Sequence, residues 1–465
     1  MEYNPEVIKE QEKQDITDFE SAKFFLFNRL TASKEKLFKG ENGLKRSINW
    51  LTHLKNPQES YPSIHIAGTS GKGSTSYMVS SILSALGQKV GTITSPHVYD
   101  VRERLLINQQ YISEEEFTRQ TQELIKPIAK LEQSEFGRPT YFEVMIGMAH
   151  KCFAEHNINY AVIETGIGGR FDSTNTIKHS DKLAVITRLG LDHTEILGNT
   201  PEDIAWQKAG IIPENGHVIA LLPNELKAKN VIEQEAKLKN SSLTFVNPSQ
   251  LISNLHQEID GLKFDYTSTN LTIKNLTLPI LGPYQAENAC VAIATAEYLA
   301  KRDSLNINNK IIKNGFTKLN IPARAEITDF NGTPIVIDSA HNPQKLQAFF
   351  AMIESLKLPV KPLIIFSSKQ AKDWEASLPI LISNADEIFV ASFFNSQPGH
   401  LQKYSADPKK ITNVIRKLGG CAKSFNSPTE ALTTALSTVK TDQPIIITGS
   451  MYMLGELHDH LQQLN

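Results

Sequence analysis

Short apolar runs alternate with stretches of helical periodicity along most of the chain. Residues 63–67 and 160–164 form short, mostly apolar runs, whereas apolar positions recur at a helical spacing over 75–86 and 140–156. Apolar strands separated by helices are typical of parallel sheets that are covered on both faces. The pattern therefore predicts an α/β protein built on a doubly wound, mostly parallel sheet.

The pattern changes twice along the chain. From about residue 214 to 278 the sequence is polar and rich in Asn and Ser, and its short strand patterns predict a peripheral antiparallel sheet. A surface helix is expected at 306–318, and a second series of strands and helices begins at 335–338. We therefore predict two domains, at 1–320 and 321–465.

Composition excludes several classes of protein. The 465 residues include 48 Lys and Arg against 50 Asp and Glu, and 40% of them are hydrophobic. These values are ordinary for a globular protein, and they fit neither a disordered chain nor a basic nucleic-acid-binding surface. The apolar runs are far shorter than the roughly 18–20 residues that span a bilayer. We therefore expect no nucleic-acid partner and no membrane partner.

Two further features concern the cellular compartment. Residues 1–20 lack the basic and apolar regions of a secretory signal, so the sequence predicts a cytoplasmic protein. Cys152, Cys290 and Cys421 are odd in number and far apart, which indicates neither a disulfide framework nor a cysteine-based zinc site. We expect them to be small core thiols.

A glycine-rich segment at 68–75 lies between a predicted strand and a predicted helix. Backbone N–H groups and the helix dipole converge on an anion at such a junction, and a lysine adds charge for the outer phosphates. The spacing departs from the common phosphate loop, because two residues rather than four precede the Gly-Lys pair. The alternative is a tight turn that packs the helix onto its strand. We favour a nucleotide site made by Gly68, Thr69, Ser70, Gly71, Lys72, Gly73, Ser74 and Thr75.

A carboxylate and an imidazole follow two other predicted strands. Glu164 ends the strand at 160–164, and His193 follows the strand at 183–187. Ligands of open α/β sheets bind at this carboxyl edge. A lone histidine is more often structural, but its position on the same edge as the phosphate loop and Glu164 favours a ligand role. Such a donor set suits Mg²⁺.

Lys208 lies on the apolar face of a predicted helix, together with Ile204, Ile211 and Ile212. One interpretation is a lysine whose stem covers the core while its charge reaches water. The other is a partly desolvated amine that loses its charge readily and reacts to a carbamate, which behaves as a carboxylate toward a metal. The residues alone leave both interpretations open.

Taken together, the motifs resemble those of the folylpolyglutamate synthase/dihydrofolate synthase family, within the Mur ligase superfamily, over roughly residues 20–460. Six motifs in one order make the resemblance specific. They are the phosphate loop, Thr94-Ser95-Pro96-His97 with Glu103-Arg104, Glu164 to Arg170 with Asp172 and Asn175, Leu191-Asp192-His193-Thr194, Lys208-Ala209-Gly210-Ile211 and Asp338-Ser339-Ala340-His341-Asn342-Pro343. The resemblance implies a Mur ligase central-type domain with the phosphate loop, followed by a smaller, Rossmann-like α/β domain.

The resemblance also implies a reaction. In this family ATP phosphorylates a substrate carboxylate, and the amine of L-glutamate attacks the acyl phosphate to give an amide, ADP and phosphate. The expected cofactors are ATP and two Mg²⁺ ions, and the expected substrates are L-glutamate with dihydropteroate or a reduced folate. We expect a bifunctional enzyme, with folylpolyglutamate synthesis alone as the alternative, and a monomer.

Residue roles follow from the same resemblance. The expected catalytic residues are Lys72, Lys208 and His341. Further nucleotide contacts are expected from Asn288, Arg324 and Asp338. Metal ligands are expected to be Ser95, Glu164 and His193 for one ion and carbamylated Lys208 for a second. Substrate contacts are expected from Gly43, Leu44, Tyr141, Phe142, Glu143 and Ser450, although the aromatic pair at a helix start could equally belong to the core.

The chain departs from the family pattern at a few positions. Ser70 replaces a usual Asn, Gln207 a usual Glu and Ala323 a usual Gly, and the segment 366–373 lacks an expected glycine. These departures put the substrate range in doubt more than the chemistry. A cell-wall ligase is disfavoured because only 67 residues precede the phosphate loop, and a nucleotide-binding protein without ligase activity is disfavoured by the complete set of motifs.

Overall fold

The computed structural model describes residues 16–30, 40–258, 260–317, 319–370, 372–395 and 403–464. The expected substrate contacts Gly43 and Leu44 belong to a segment, 39–46, whose first residue, Lys39, lies outside the described residues, as do Lys318 and Ala371. No described helix is long and apolar enough to cross a membrane.

Helices and strands alternate through most of the described chain. The helices are α1 (Phe19–Arg29), α2 (Glu41–His53), α3 (Lys72–Ala85), α4 (Glu114–Glu132), α5 (Tyr141–Glu155), α6 (Thr194–Leu197), α7 (Pro201–Ala209), α8 (Leu226–Leu238), α9 (Pro248–Leu251), α10 (Pro283–Arg302), α11 (Asn309–Thr317), α12 (Pro343–Ser355), α13 (Leu378–Asn384), α14 (Pro408–Lys417), α15 (Pro428–Thr438) and α16 (Met451–Leu464). The strands are β1 (Ser63–Ala67), β2 (Val90–Ile93), β3 (Leu106–Ile107), β4 (Gln110–Tyr111), β5 (Tyr160–Glu164), β6 (Leu183–Ile186), β7 (His217–Leu221), β8 (Ser242–Val246), β9 (Ile252–Glu258), β10 (Gly261–Thr267), β11 (Thr272–Leu278), β12 (Glu326–Phe330), β13 (Thr333–Ile337), β14 (Leu363–Phe366), β15 (Glu387–Ala391), β16 (Phe394–Asn395), β17 (Lys403–Tyr404), β18 (Ala422–Phe425) and β19 (Ile445–Thr448).

The first sheet has eight strands in the order β4-β3-β2-β5-β1-β6-β7-β8. Every pair from β2 to β8 is parallel, and the two-residue strands β3 and β4 add an antiparallel edge. The predicted mostly parallel sheet is therefore confirmed. In β1, Ile66 pairs with Glu164, the last residue of β5, so Glu164 ends beside the start of the phosphate loop.

Both faces of this sheet are covered, which explains why its strands are apolar throughout. In β5, Val162 packs into a core with helices α3, α10 and α11, whereas Ala161 and Ile163 pack into a core with α1, α2, α4 and α5. A strand between two helical layers has no solvent-facing side, so both sets of alternating side chains are apolar.

The predicted peripheral antiparallel sheet is shorter than the sequence indicates. Strands β9, β10 and β11 form a three-stranded antiparallel sheet over 252–278. The preceding part of the predicted region is different, since β7 and β8 pair in parallel and extend the main sheet. That part of the prediction is wrong because β8 is an edge strand whose alternate residues are exposed, a pattern that antiparallel strands share.

The second sheet has six strands in the order β12-β13-β19-β14-β15-β18. It is parallel except for β12, which precedes the first predicted strand of this series and pairs antiparallel with β13. The short strands β16 and β17 form a separate antiparallel pair. The proposed boundary at residue 320 falls between α11 and β12, in neither sheet.

Candidate active site

The phosphate loop connects β1 to the first turn of α3. Gly71 has a φ of +83°, a backbone conformation that favours glycine. A Cβ at this position would lie 2.3 Å from the Oδ1 atom of Asn288, because that buried side chain packs against the loop. Asn288 is held from α10 by a hydrogen bond that its amide donates to Gln285 (2.9 Å). The structure therefore places Asn288, an expected nucleotide contact, directly against the loop.

The remainder of the loop is anchored to the strand next to it. Thr187, just after β6, donates from its hydroxyl to the carbonyl of Ser70 (2.7 Å), and the same hydroxyl fills the space beside Gly68. The backbone N–H of Thr69 donates to the carbonyl of Arg188 (2.9 Å). The loop is thus held in shape by contacts with the segment that follows β6.

Two lysines from different helices meet at one atom of this loop. The Nζ atoms of Lys72, in α3, and Lys208, in α7, each donate to the carbonyl oxygen of Gly68 at 2.9 Å. Lys208 is buried, with 3% of its surface exposed. Burial and, to a lesser extent, the neighbouring charge of Lys72 lower the pKa of Lys208 to about 7. The snorkelling interpretation of Lys208 is therefore wrong, because its amine ends at the loop and not in water.

Gly71 and Gly87 offer a matched pair of substitutions. Both have a positive φ, +83° and +81°, but a Cβ at Gly87 would meet nothing within 4 Å. We expect Gly87→Ala to cost about 1 kcal/mol of stability and leave ATP binding unchanged. Gly71→Ala carries the same strain and also displaces Asn288, so we expect ATP affinity to fall by about 10-fold or more. Titration calorimetry with ATP, together with thermal unfolding, separates the two effects, and equal ATP affinities would contradict this account.

Glu164 faces the loop from the end of β5. A Cβ on Gly73 would lie 3.5 Å from both of its carboxylate oxygens, and the carboxylate accepts a hydrogen bond from the backbone N–H of Ser95 (2.9 Å). Burial raises the pKa of Glu164, and the charges of Lys72 and Arg324 oppose that rise. The structure therefore brings Glu164, Ser95 and Lys72 together at the carboxyl edge of the sheet.

The segment that carries Ser95 is shaped by a buried carboxylate. Glu103 accepts hydrogen bonds from the backbone N–H groups of Val98, Tyr99 and Asp100, at 2.7 to 2.9 Å. Three backbone donors satisfy a carboxylate that is only 2% exposed. Glu103 therefore fixes the turn that follows Ser95.

Among the described residues, His193 makes no hydrogen bond or ion pair with Glu164, Ser95 or Lys72. It has a left-handed backbone conformation, with a φ of 49°, at the start of the short helix α6. Its ring nitrogens lie 3.9 Å from Asp192 and 3.8 Å from Glu195, and nearly half of its side-chain surface is exposed. His193 thus follows β6 on the expected edge, but its ring neighbours in this structure are these two carboxylates.

The connection into the second sheet approaches the same edge. Arg324 lies between Ala323 and Ala325, both with a φ of 50°, and donates to the hydroxyl of Ser339 (3.2 Å). Asp338 accepts hydrogen bonds from the backbone N–H groups of Ala325 (2.9 Å) and Ala340 (2.8 Å). Burial raises the pKa of Asp338, with Arg324 opposing. Arg324 and Asp338 are thus neighbours, and the charge of Arg324 also acts on Glu164 in the first sheet.

The side chain of Tyr99 joins the first sheet to the segment that leads into the second sheet. The hydroxyl of Tyr99 donates to the carboxylate of Glu326 (2.8 Å), and the same carboxylate oxygen accepts from the backbone N–H of Ala323 (2.9 Å). The ring of Tyr99 also stacks on His458 in α16, with centroids 4.3 Å apart. The turn after Ser95 is thereby tied to the backbone beside Arg324.

Aromatic and basic side chains gather at the start of α5. The ring of Tyr141 lies 5.3 Å from that of Phe27, and the guanidinium of Arg104 lies 5.2 Å from the centre of the Tyr141 ring. Arg104 also donates to Nδ1 of His97 (2.9 Å). Phe142 points elsewhere, against Gly166 in the glycine-rich turn after β5, where a Cβ would lie 2.7 Å from its ring.

Glu143 is fully engaged inside the protein. Arg46 donates to both of its carboxylate oxygens (2.9 Å each), and Ser47 donates to one of them (3.0 Å). The backbone N–H and the hydroxyl of Thr140 also donate to it, at 2.7 and 2.9 Å, and cap α5. Glu143 is thus held by groups of the protein itself, and its expected contact with substrate stays a prediction. The half-buried Gly43 and Leu44 lie one turn before Arg46 and Ser47 in α2.

The second sheet carries a pocket of its own. It is lined by His341, Ser368, Lys369, Lys372, Gly449, Ser450 and Met451. Ser450 directly precedes α16, whose N-terminal N–H groups favour an anion. The ring of Tyr452 lies beneath the Nζ atom of Lys369, at 4.3 Å. Two ammonium groups and a helix N-terminus make this pocket suitable for carboxylates.

His341 has a defined tautomer in this pocket. Its Nδ1 atom lies 2.9 Å from the carbonyl oxygen of Ser339, and since a carbonyl only accepts, Nδ1 carries the hydrogen. Burial lowers the pKa of His341, and the charges of Lys345, Lys372 and Lys369 lower it further. His341 is therefore neutral near pH 7 and presents Nε2 as a proton acceptor.

Comparison with known proteins identifies the family. The family model of the Mur ligase middle domain matches residues 66–296, and that of the dihydrofolate synthetase C-terminal domain matches residues 320–461. The dihydrofolate synthase/folylpolyglutamate synthase of Bacillus subtilis (strain 168) is 31% identical, over 96% of this chain and 100% of its own length. The chain belongs to the dihydrofolate synthase/folylpolyglutamate synthase family.

Two further proteins support this family assignment. The dihydrofolate synthetase of Saccharomyces cerevisiae is 31% identical over 90% of this chain and 97% of its own length. The structure of Mycobacterium tuberculosis folylpolyglutamate synthase complexed with ADP and AMPPCP superposes with a TM-score of 0.77 at 26% identity, covering 90% of this chain and 95% of that one. The resemblance stated from the motifs and the Mur ligase fold are both confirmed.

The structure shows four residues at this site whose roles the sequence did not predict. Thr187 holds the phosphate loop, and Glu103 holds the turn after Ser95. Arg104 contacts Tyr141. Lys369 lines the second-sheet pocket. Glu103 and Arg104 occur within a recognised motif, which was the available signal. Lys369 lies in the segment 366–373, which departs from the family pattern, whereas Thr187 is an isolated residue whose partner is remote in sequence.

Proposed function

We propose that this protein adds L-glutamate to the carboxylate of a folate-type substrate, using ATP and an acyl-phosphate intermediate. Both dihydropteroate and reduced folates are proposed as substrates, so that the enzyme is bifunctional. The observation that carries the proposal is the meeting of Lys72 and Lys208 at the carbonyl of Gly68, opposite the buried carboxylate of Glu164. The names of the relatives, dihydrofolate synthase/folylpolyglutamate synthase and dihydrofolate synthetase, support this class of reaction.

The first step would be phosphoryl transfer. A carboxylate oxygen of the folate-type substrate attacks the γ-phosphorus of ATP, the bond to the β,γ-bridging oxygen breaks, and ADP leaves. Positioning and charge stabilisation dominate such transfers. Lys72 and the backbone N–H groups of the loop would hold the phosphates, while Asn288, Arg324 and Asp338 would contact the nucleotide from the other side.

Mg²⁺ fits the donors on this edge. The carboxylate of Glu164 uses one of its four lone-pair positions for the N–H of Ser95, which leaves the others for a cation. Ser95, Glu164 and His193 would hold one ion, and Lys208, as its carbamate, would help to hold a second. The chemistry that Mg²⁺ supplies there is neutralisation of phosphate charge during transfer.

Lys208 has the properties that carbamate formation requires. A large fraction of its amine is neutral near pH 7, because burial lowers its pKa to about 7. The amine nitrogen attacks CO₂, one N–H proton leaves to solvent, and the lysine becomes an anion. A negative group beside Lys72 would also remove the repulsion between two ammonium groups at Gly68.

The second step would take place at the second-sheet pocket. Lys369 and Lys372 would bind carboxylates of L-glutamate, with Ser450 at the helix N-terminus. Nε2 of neutral His341 would accept a proton from the glutamate ammonium. The free amine then attacks the acyl carbon, the bond to the phosphate oxygen breaks, the nitrogen loses a second proton to solvent, and an amide and phosphate form.

The pteridine end of the substrate would lie near Tyr141. The aromatic surfaces of Phe27 and Tyr141 and the guanidinium of Arg104 suit a flat, hydrogen-bonding heterocycle. Gly43 and Leu44 would border this region, and Phe142 would act through its packing on Gly166.

A substitution at Lys369 tests the proposed glutamate site. A charge-assisted hydrogen bond contributes about 1.5–3 kcal/mol, so we expect Lys369→Met to raise the KM for L-glutamate by about 10–100-fold while the KM for ATP stays unchanged. Lys410→Met is the matched control, because Lys410 also lies over an aromatic ring, that of Trp374 (5.4 Å), but outside the pocket. Equal glutamate KM values for the two variants would exclude the assignment.

The overall proposal is tested by phosphate release from the purified protein with Mg²⁺, ATP and L-glutamate, with products identified by mass. Dihydropteroate, tetrahydrofolate and no acceptor are compared. Turnover with both acceptors is the expected result. Turnover with tetrahydrofolate alone would leave folylpolyglutamate synthesis as the function, and ATP hydrolysis independent of acceptor and glutamate would overturn the ligase proposal.

We further propose that the protein is cytoplasmic and monomeric. Size-exclusion chromatography with light scattering tests the oligomeric state.

A further inference from the structure

Three metal-ligating side chains meet on the outer helices of the first sheet, away from the proposed active site. Glu116 lies in the first turn of α4, Cys152 lies in α5, and His156 is the C-cap of α5. One ligand atom from each lies within 4.8 Å of the others. Cys152 and His156 are four residues apart on one helix, so their side chains project from the same face.

The three atoms are already close to the spacing of a metal site. Nε2 of His156 lies 2.8 Å from Oε1 of Glu116, and Sγ of Cys152 lies 3.7 Å from the same oxygen. Tetrahedral zinc, with bonds of about 2.0–2.3 Å, places its donor atoms about 3.3–3.6 Å apart. The third pair of donors, Sγ of Cys152 and Nε2 of His156, lies within 4.8 Å, so shifts of up to about 1 Å would bring all three donors around one ion.

We propose that Glu116, Cys152 and His156 form a zinc-binding site with water in the fourth position. The thiolate, imidazole and carboxylate donors are the ligand types that zinc takes in proteins. On binding, the S–H bond of Cys152 breaks, its proton leaves to solvent, and an S–Zn bond forms. In the metal-bound form Nε2 of His156 carries no hydrogen and donates its lone pair to the ion, while the ring hydrogen lies on Nδ1.

The charges around the cluster permit a cation. Arg119 and Lys151 are each paired with both Glu123 and Glu155, and Arg119 also lies 3.6 Å from Oε1 of Glu116. A third cation, Lys89, donates to the backbone carbonyl of His156 (2.7 Å), so that three carboxylates balance three cations around the cluster. A Cys152 thiolate would add a negative charge that the Zn²⁺ ion binds directly.

The fold explains access to the site and its distance from the proposed reaction. Glu116 and His156 keep 21% and 28% of their side-chain surfaces exposed, whereas Cys152 is fully buried behind them. An ion would therefore enter from the side of Glu116 and His156. Tyr141 begins the helix that ends at Glu155, about 20 Å away at 1.5 Å per residue. The ion would join α4 to α5 without touching the reacting groups.

Cobalt absorption tests the proposal on the full-length protein, because Co²⁺ bound by a thiolate gives a charge-transfer band that Co²⁺ at oxygen and nitrogen sites does not. We expect one equivalent of Co²⁺ to produce the band and Zn²⁺ to abolish it. Cys152→Ala is expected to lack the band, whereas the matched control Cys421→Ala, which removes an exposed thiol, should retain it. Absence of the band in the unmodified protein, or its loss only in Cys421→Ala, would overturn the site.

A second variant covers the case in which Cys152→Ala does not fold. His156 is partly exposed, so His156→Gln is expected to fold and to weaken Zn²⁺ binding by at least about 10–100-fold. Zn²⁺ should raise the melting temperature of the unmodified protein and leave that of His156→Gln unchanged. An equal rise in both proteins would show that zinc acts elsewhere and would reject the proposal.

Discussion

Lys208→Ala is expected to lower kcat by at least about 100-fold, and small carboxylic acids are expected to restore part of the lost turnover. Removal of the side chain takes away the proposed carbamate and leaves a space beside the carbonyl of Gly68. Acetate is small enough to enter that space and presents the same pair of oxygens as a carbamate. Phosphate release with and without acetate measures both effects.

The same prediction includes a pH dependence. A carbamate forms from the neutral amine, and the pKa of Lys208 in the folded protein is about 7. Activation by added bicarbonate should therefore be present above pH 7 and should be lost as the pH falls below that value, where the amine is protonated.

Lys182 provides the control for Lys208. It is also buried, with a pKa lowered to about 7 by burial, but its Nζ atom donates to Asn175 (2.9 Å) and not to the phosphate loop. Lys182→Ala should not respond to acetate at equal concentrations of folded protein. Full activity of Lys208→Ala without acetate, or rescue of both variants, would refute the carbamate role.

Lys72→Ala is expected to reduce ATP-dependent turnover by on the order of 10³-fold. Its ammonium group lies in the first turn of α3, where the phosphates of ATP would sit, and no backbone N–H can replace its full charge. Stopped-flow measurement of ADP formation in a single turnover separates loss of phosphoryl transfer from loss of glutamate addition.

Lys89→Ala is the matched control for this substitution. Lys89 also donates from Nζ to a backbone carbonyl, that of His156 (2.7 Å), but it lies just before β2 and away from the loop. We expect Lys89→Ala to change stability slightly and to leave ADP formation unchanged. Comparable loss of ADP formation in both variants would mean that the effect of Lys72 is structural.

The parallel sheet and its carboxyl edge could be predicted from the sequence because local patterns determine them. Apolar strands such as β5, glycine turns and helix caps such as Thr140 are all short-range signals. The parallel pairing of β8 could not be predicted in this way. An edge strand exposes alternate residues whichever direction its neighbour runs, so periodicity alone does not reveal the direction.

The site was predictable in its residue types and less so in its contacts. The apolar face of α7 left two interpretations of Lys208 open, because the contact that decides between them is made with Gly68, 140 residues away. The contacts of Glu143 could not be predicted for the same reason. Its partner Arg46 is 97 residues away, and only the folded chain shows that this pair already satisfies the carboxylate.

The bond between Tyr99 and Glu326 restricts how the two sheets can move. It joins the turn after Ser95 to the backbone that carries Arg324, while the flanking Ala323 and Ala325 are the residues whose backbone would have to rotate. A hinge motion that preserves this bond must turn about an axis close to Tyr99. Ser95 and Arg324, which lie on either side of this bond, would then stay near the pivot and move little relative to each other.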